Sequence, residues 1–68
     1  MTQLQKFRDF VIAKIHKTKN PLGCTTVGLV GKTAQKKTGF DLMTCEGLLT
    51  QLRKDGTVRF NSGRWWLP

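Results

Sequence analysis

The last third of the chain admits few folds. From Asp41 it reads DLMTCEGLLTQLRKDG, then TVRF, NSG and RWWLP. Its apolar residues recur at helical spacing, which predicts a helix over 42–54 with Leu42, Cys45, Leu48, Leu49 and Leu52 on the buried side. Met43, Glu46, Gly47, Thr50 and Lys54 fall on the other side. Asp41 is a good N-cap, because its carboxylate can accept an N–H of the first turn that has no partner within the helix. Asp55-Gly56 then stops the helix. Two β-prone runs follow, separated by Asn61-Ser62-Gly63. With Ser62 and Gly63 at the tip of a hairpin, Phe60 faces Trp65 and Val58 faces Leu67. Alternation then sets Val58, Phe60, Trp65 and Leu67 on one apolar face, and Arg59, Asn61, Arg64 and Trp66 on the other. In that position Trp66 stacks on Arg59 or Arg64, or packs against the first helix.

Upstream, Thr2 and Gln5 form a capping-box pattern, in which the hydroxyl and the amide satisfy each other's free N–H groups. The first helix then carries Leu4, Phe7, Val11 and Ile15 as one stripe, widened by Phe10 and Ile12. Lys14 and Lys17 suit its C-terminal end, where the helix dipole favours cations, and His16 beside them reads as a surface residue. Residues 18–23, TKNPLG, are a loop. A short strand at about 24–26 and a helix over about 27–37 are predicted next, with Val27, Val30 and Ala34 buried and Gly39 as C-cap. Gly28 and Gly31 weaken that helix, each by about 1 kcal/mol relative to alanine.

A chain of 68 residues holds one domain, here 1–68, and a domain near this size buries only about 60% of its unfolded surface. Two cysteines make one disulfide at most, and without a leader-like segment both are expected reduced, in a cytoplasmic protein associated with the nucleoid. One histidine and no C-x-x-C leave no basis for a metal site. Catalysis is not expected either, because four scattered acids supply neither an acid–base pair nor an activated nucleophile. GLVGKT at 28–33 imitates a phosphate-binding P-loop, but the glycine that motif needs falls on Thr26, and no cofactor is expected.

Charge gives the positive signal. Twelve Lys and Arg oppose four Asp and Glu, for a net charge of +8 and a pI near 10.2, and residues 10–40 contain no acid. A basic balance of this kind, with clustered lysines, is the electrostatic footprint of phosphate binding.

Three helices followed by a two-stranded hairpin resemble a winged helix-turn-helix domain. The detailed part of the resemblance is residues 39–67. There a helix-ending glycine (Gly39) is followed by an apolar residue (Phe40), a capping residue (Asp41), a helix over 42–54 and a closing Asp55-Gly56. In scale it is similar to very small bacterial, plasmid and phage regulators, such as those of fimbrial operons. The chain departs from the pattern at Gln35 and Thr38, where the second helix of such domains carries leucines. The fold so implied is α+β: a three-helix helix-turn-helix core and a C-terminal hairpin wing, with the optional short strand near 24–26.

The same resemblance implies sequence-selective binding of double-stranded DNA by a small transcriptional regulator, acting as a homodimer or a cooperative array. The helix over 42–54 would enter the major groove, with Met43, Thr44, Glu46, Gly47, Thr50 and Gln51 available for base readout. Lys32, Lys36, Lys37, Arg53, Lys54, Arg59, Asn61, Ser62 and Arg64 would hold phosphates or form the wing contact. Gly47, in mid-helix on the outward side, either lets the backbone approach DNA closely or is simply tolerated in a helix held by its leucines. The competing expectations are binding of RNA or single-stranded DNA through the basic surface and Trp66, and a protein-interaction module, for example a phage-encoded inhibitor of a host protein.

Overall fold

The computed structural model describes residues 2–18 and 23–68. Its first helix, α1 (Gln3–Thr18), opens on the expected cap: the Gln5 N–H donates to Thr2 Oγ1 at 3.1 Å. The reciprocal half of the capping box does not form. Gln5 instead spends its side-chain amide along α1, donating to Asp9 and accepting from Arg8, each at 2.9 Å. Phe7, Val11 and Ile15 are buried, and Leu4 and Phe10 pack partly buried beside them, so the stripe read from the sequence is the one that faces the core. The loop predicted at 18–23 falls mainly on residues 19–22, outside the described residues.

The chain resumes in β1 (Cys24–Thr25) and turns at once into α2 (Thr26–Val30). Thr25 serves both elements, because its Oγ1 accepts the Gly28 N–H at 3.2 Å and caps α2. A continuous helix over 27–37 does not form. Gly31 adopts an extended conformation and separates α2 from α3 (Lys32–Thr38). A Cβ at position 31 would run into the Val27 carbonyl oxygen, so only glycine closes the chain this tightly. The break resets the helical phase. Leu29 and Val30 are buried in succession, Ala34 is buried across the break, and Val27, expected inside, is 75% exposed.

Gly39 ends α3 in the left-handed conformation (φ 79°), its N–H donating to the Gln35 carbonyl. The two polar departures in α3 find local partners. Gln35 donates to the Val30 carbonyl at 3.0 Å, across the break. Thr38, 2% exposed, donates to the Ala34 carbonyl at 2.7 Å, accepts the Phe40 N–H at 3.3 Å and lies 4.0 Å from Cys45 Sγ. The Thr38 hydroxyl therefore ties down the turn into the next helix, and it is buried without loss because it is satisfied.

The next helix, α4 (Leu42–Lys54), has the predicted limits. Asp41 caps it, accepting the Thr44 N–H at 2.8 Å. Cys45, Leu49 and Leu52 are buried, and Leu48 packs against the core partly buried. Leu42 is 46% exposed instead, since it lies in the first turn beside the exposed cap, at the edge of the stripe set by Cys45, Leu49 and Leu52. Burying a leucine is worth about 1.5–3 kcal/mol, so these buried positions outweigh the exposed one in fixing the helix.

The hairpin forms in the expected register. In β2 (Arg59–Asn61) and β3 (Arg64–Trp66), Phe60 pairs with Trp65 and Asn61 with Arg64. Ser62 and Gly63 make the turn with φ of 53° and 74°, the positive values that match the twist of a two-residue hairpin. β1 adds to the free side of β3, giving a three-stranded antiparallel sheet in the order β1-β3-β2. The optional strand of the sequence reading is thus present, and it makes β3 the central strand. The whole is an α+β arrangement of helices closed by a small antiparallel sheet, with one core shared by α1, β1, α2, α4, Val58 and Trp65.

Candidate nucleic-acid interface

The outward face of α4 is the most open surface that the expected site residues share. Glu46, Gly47, Thr50, Gln51 and Lys54 are exposed, and Met43 is 81% exposed. One turn apart along a helix, these positions stack on a single face. A Cβ added at Gly47 would meet nothing within 4 Å, so the packing of the fold does not require glycine there. Thr44 is half-buried at the cap, and the Thr50 hydroxyl donates to the Glu46 carbonyl at 3.0 Å, leaving its oxygen free only as an acceptor. Gln51 keeps its side-chain donors and acceptor unengaged among the described residues, which makes it the best placed of the set to read a donor–acceptor pattern.

The hairpin stands beside this face. The Arg53 guanidinium lies 5.2 Å from the centre of the Phe60 ring, a cation–π contact that links the end of α4 to β2. Phe60 itself packs on Trp65 with ring centres 4.6 Å apart, but at the edge strand it keeps 38% of its surface exposed. Arg59, Asn61 and Ser62 are exposed at or near the tip, and the Ser62 hydroxyl reaches Asn61 Oδ1 at 3.4 Å. Arg64 departs from expectation. It is half-buried and donates to the Gly23 carbonyl at 3.4 Å, because pairing with β1 places it on the central strand rather than on a free edge.

The acids near this surface are occupied. Asp41 is held below the usual carboxylate range by its hydrogen bonds from Thr44. Asp55 is held low chiefly by Thr57, whose hydroxyl and N–H donate to it at 2.6 and 2.9 Å, and then by Arg8, 3.2 Å away. Glu46 is the acid that stays on the open face, against Arg53 and Lys54. The balance there is positive, as binding to phosphate requires.

Lys32, Lys36 and Lys37 are all exposed, but Lys37 lines a groove with Phe10, Ala13, Lys14 and Lys17 of α1, to which α4 and the hairpin contribute no residue. Lys37 is therefore not gathered with the α4 face.

Three features escaped the sequence reading. Trp65 donates its indole N–H to Thr26 Oγ1 at 2.8 Å, which pins the hairpin to the start of α2. A buried tryptophan needs such a partner, so this contact had a signal, although nothing in the spacing selected Thr26. Gly23 (φ 75°) lies under the Trp66 indole, and a Cβ there would come within 2.9 Å of both the ring and the Trp65 carbonyl. One face of Trp66 is thereby covered, while its other surroundings form a shallow cleft of about 390 Å³ with Arg59, Phe60, Asn61 and Leu67. The Arg8–Asp55 pair joins α1 to the end of α4 across 47 positions, a separation for which no local signal exists.

Cys24 and Cys45 are buried free thiols, and burial pushes both above their ordinary value, so they stay protonated at neutral pH. Among the described residues no group of three or more His, Cys, Asp and Glu could hold a metal ion, and no helix is long and apolar enough to cross a membrane. No family model, no curated protein and no solved structure matches this chain.

Proposed function

We propose that this chain binds double-stranded DNA as a small winged helix-turn-helix regulator, with α4 in the major groove and the β2–β3 hairpin as the wing. The observation that carries the reading is the outward face of α4. It is polar, open at Gly47, and carries Lys54 with Arg53 at its edge, while the nearby Asp41 and Asp55 are engaged in caps. A helix of α4's length fits the major groove, where each base pair presents a distinct pattern. Gln51 and Met43 would read base edges, the first by hydrogen bonds and the second by contact with a thymine methyl group. Lys32, Lys36, Arg53, Lys54 and Arg59 would hold phosphates and set the register.

The rival reading, stacking of unpaired bases on Trp66, loses ground because one face of that ring already rests on Gly23. Titration with duplex DNA, single-stranded DNA and structured RNA at several salt concentrations separates the two. Engagement of roughly five phosphates gives duplex binding a log–log salt slope of about −4.5. Absence of binding to any nucleic acid at low salt would refute the proposal, and a preference for single strands would transfer the role to the Trp66 cleft.

A further inference from the structure

The groove between α1 and α3 is a second cationic surface, distinct from the α4 face. Its floor is the half-buried Phe10 and the exposed Ala13, and Lys14, Lys17 and Lys37 form its rim. On a helix at about 100° per residue, Phe10, Lys14 and Lys17 lie on the flank of the Phe7–Val11–Ile15 stripe opposite Arg8, which faces the end of α4 through Asp55. A ligand in this groove thus has no contact with α4 or the hairpin.

Three observations narrow the occupant. First, none of the three lysines has an ion pair or hydrogen bond among the described residues, and residues 10–40 hold no acid that could supply one locally. A second copy of the chain is a poor source of carboxylates. Against twelve Lys and Arg it has four acids, of which Asp41 and Asp55 are in caps and only Asp9 and Glu46, far apart in the chain, remain. Second, the volume is about 240 Å³, below the roughly 300–1,000 Å³ of small-molecule sites but enough for a large side chain. Third, the floor is apolar. Phosphate needs cations and N–H donors and gains nothing from Phe10 and Ala13, whereas a peptide that sets an apolar side chain between carboxylates uses both floor and rim.

We infer that this groove docks an acidic segment of a partner protein, with an apolar side chain on Phe10 and Ala13 and its flanking carboxylates on Lys14, Lys17 and Lys37. The surface would let the chain hold a protein partner while α4 stays free.

The test uses a fluorescein-labelled synthetic peptide of glutamates flanking one phenylalanine and one leucine, a matched peptide with serine in both apolar places, and a mixed-sequence duplex. Ala13→Glu sets a carboxylate in the groove at an exposed helical position, and its helical spectrum checks the fold. The apolar acidic peptide is expected to bind better than the serine peptide and to lose about tenfold in affinity in Ala13→Glu, the scale of a few lost charge contacts. Lys14→Gln with Lys17→Gln should weaken it similarly. Equal binding of both peptides, or none of either, overturns the inference. So does a parallel loss of duplex and peptide binding in Ala13→Glu, which would make the groove part of the nucleic-acid surface. If no duplex binds any variant, the DNA proposal fails while the peptide result stands by itself.

Discussion

Residues 24–39 and residues 41–67 both pack against α1, but they reach their structures by different routes. In the second segment each local preference agrees with the packing. Asp41 caps, leucines recur at helical spacing, Gly56 stops the helix, and a two-residue turn sets the strand register. In the first, local preference and packing conflict. Two glycines interrupt a helical pattern, and the arrangement holds through one distant bond, Thr26 to Trp65, and through side-chain bonds that bridge its own breaks, Gln35 to Val30 and Thr38 to Ala34 and Phe40. Consistency across levels lets a segment specify its own structure, and a segment without it borrows definition from its neighbours.

The contrast can be broken by substitution, and the largest effect belongs to the shared core. Leu52→Ala removes a fully buried side chain and should cost about 2–5 kcal/mol in a urea melt. In a core this small the loss should melt both segments together, and a surviving segment 24–39 would show that it does not depend on α4. Next, Gly31→Ala should destabilise by about 1–3 kcal/mol, since the added Cβ strikes the Val27 backbone and no side chain can give way. If the variant is as stable as the parent, the break between α2 and α3 is not a requirement of the packing.

Asp41→Ala should lower the midpoint of thermal unfolding through loss of the α4 cap, by less than Gly31→Ala does. The same cap gives a pH dependence. Asp41 and Asp55 titrate below their unfolded value, so their contribution is present in full above about pH 3.9 and is lost as the pH falls through the folded values. A midpoint of thermal unfolding that stays constant through that range would show that neither carboxylate stabilises the fold.

The smallest effect sharpens the contrast most, because it exchanges the same residue in the other segment. Gly47→Ala should stabilise by up to about 1 kcal/mol, as the position is helical and open. If DNA approaches the backbone there, the same substitution should lower duplex affinity. A gain in stability with unchanged binding would leave Gly47 without a role in recognition.

How much of this was legible follows from where the signals lie. The limits of α4, the hairpin register and the outward set Met43, Glu46, Gly47, Thr50, Gln51 and Lys54 depend on period and turn chemistry within a few residues, and those can be read. The exposure of Val27 could not be, because Gly31 resets a phase that the pattern assumed continuous. The exposure of Leu42 is not legible either, because periodicity gives the direction of a side chain and not whether a neighbour reaches it. The half-burial of Arg64 has no local signal, because its partner strand, β1, is 39 positions away in sequence at Thr25. The groove of Phe10, Lys14, Lys17 and Lys37 depends on two helices meeting, which no single stretch of sequence records.

The central claim is that the duplex meets the outward face of α4 and the hairpin. Backbone amide shifts followed during titration with a mixed-sequence duplex at low ionic strength test it most directly. The account predicts the largest changes at Met43, Glu46, Gly47, Gln51 and Lys54 and along Arg59–Asn61, with α1 nearly silent. Changes centred on Ala13, Lys14, Lys17 and Lys37 while α4 stays unmoved would contradict it.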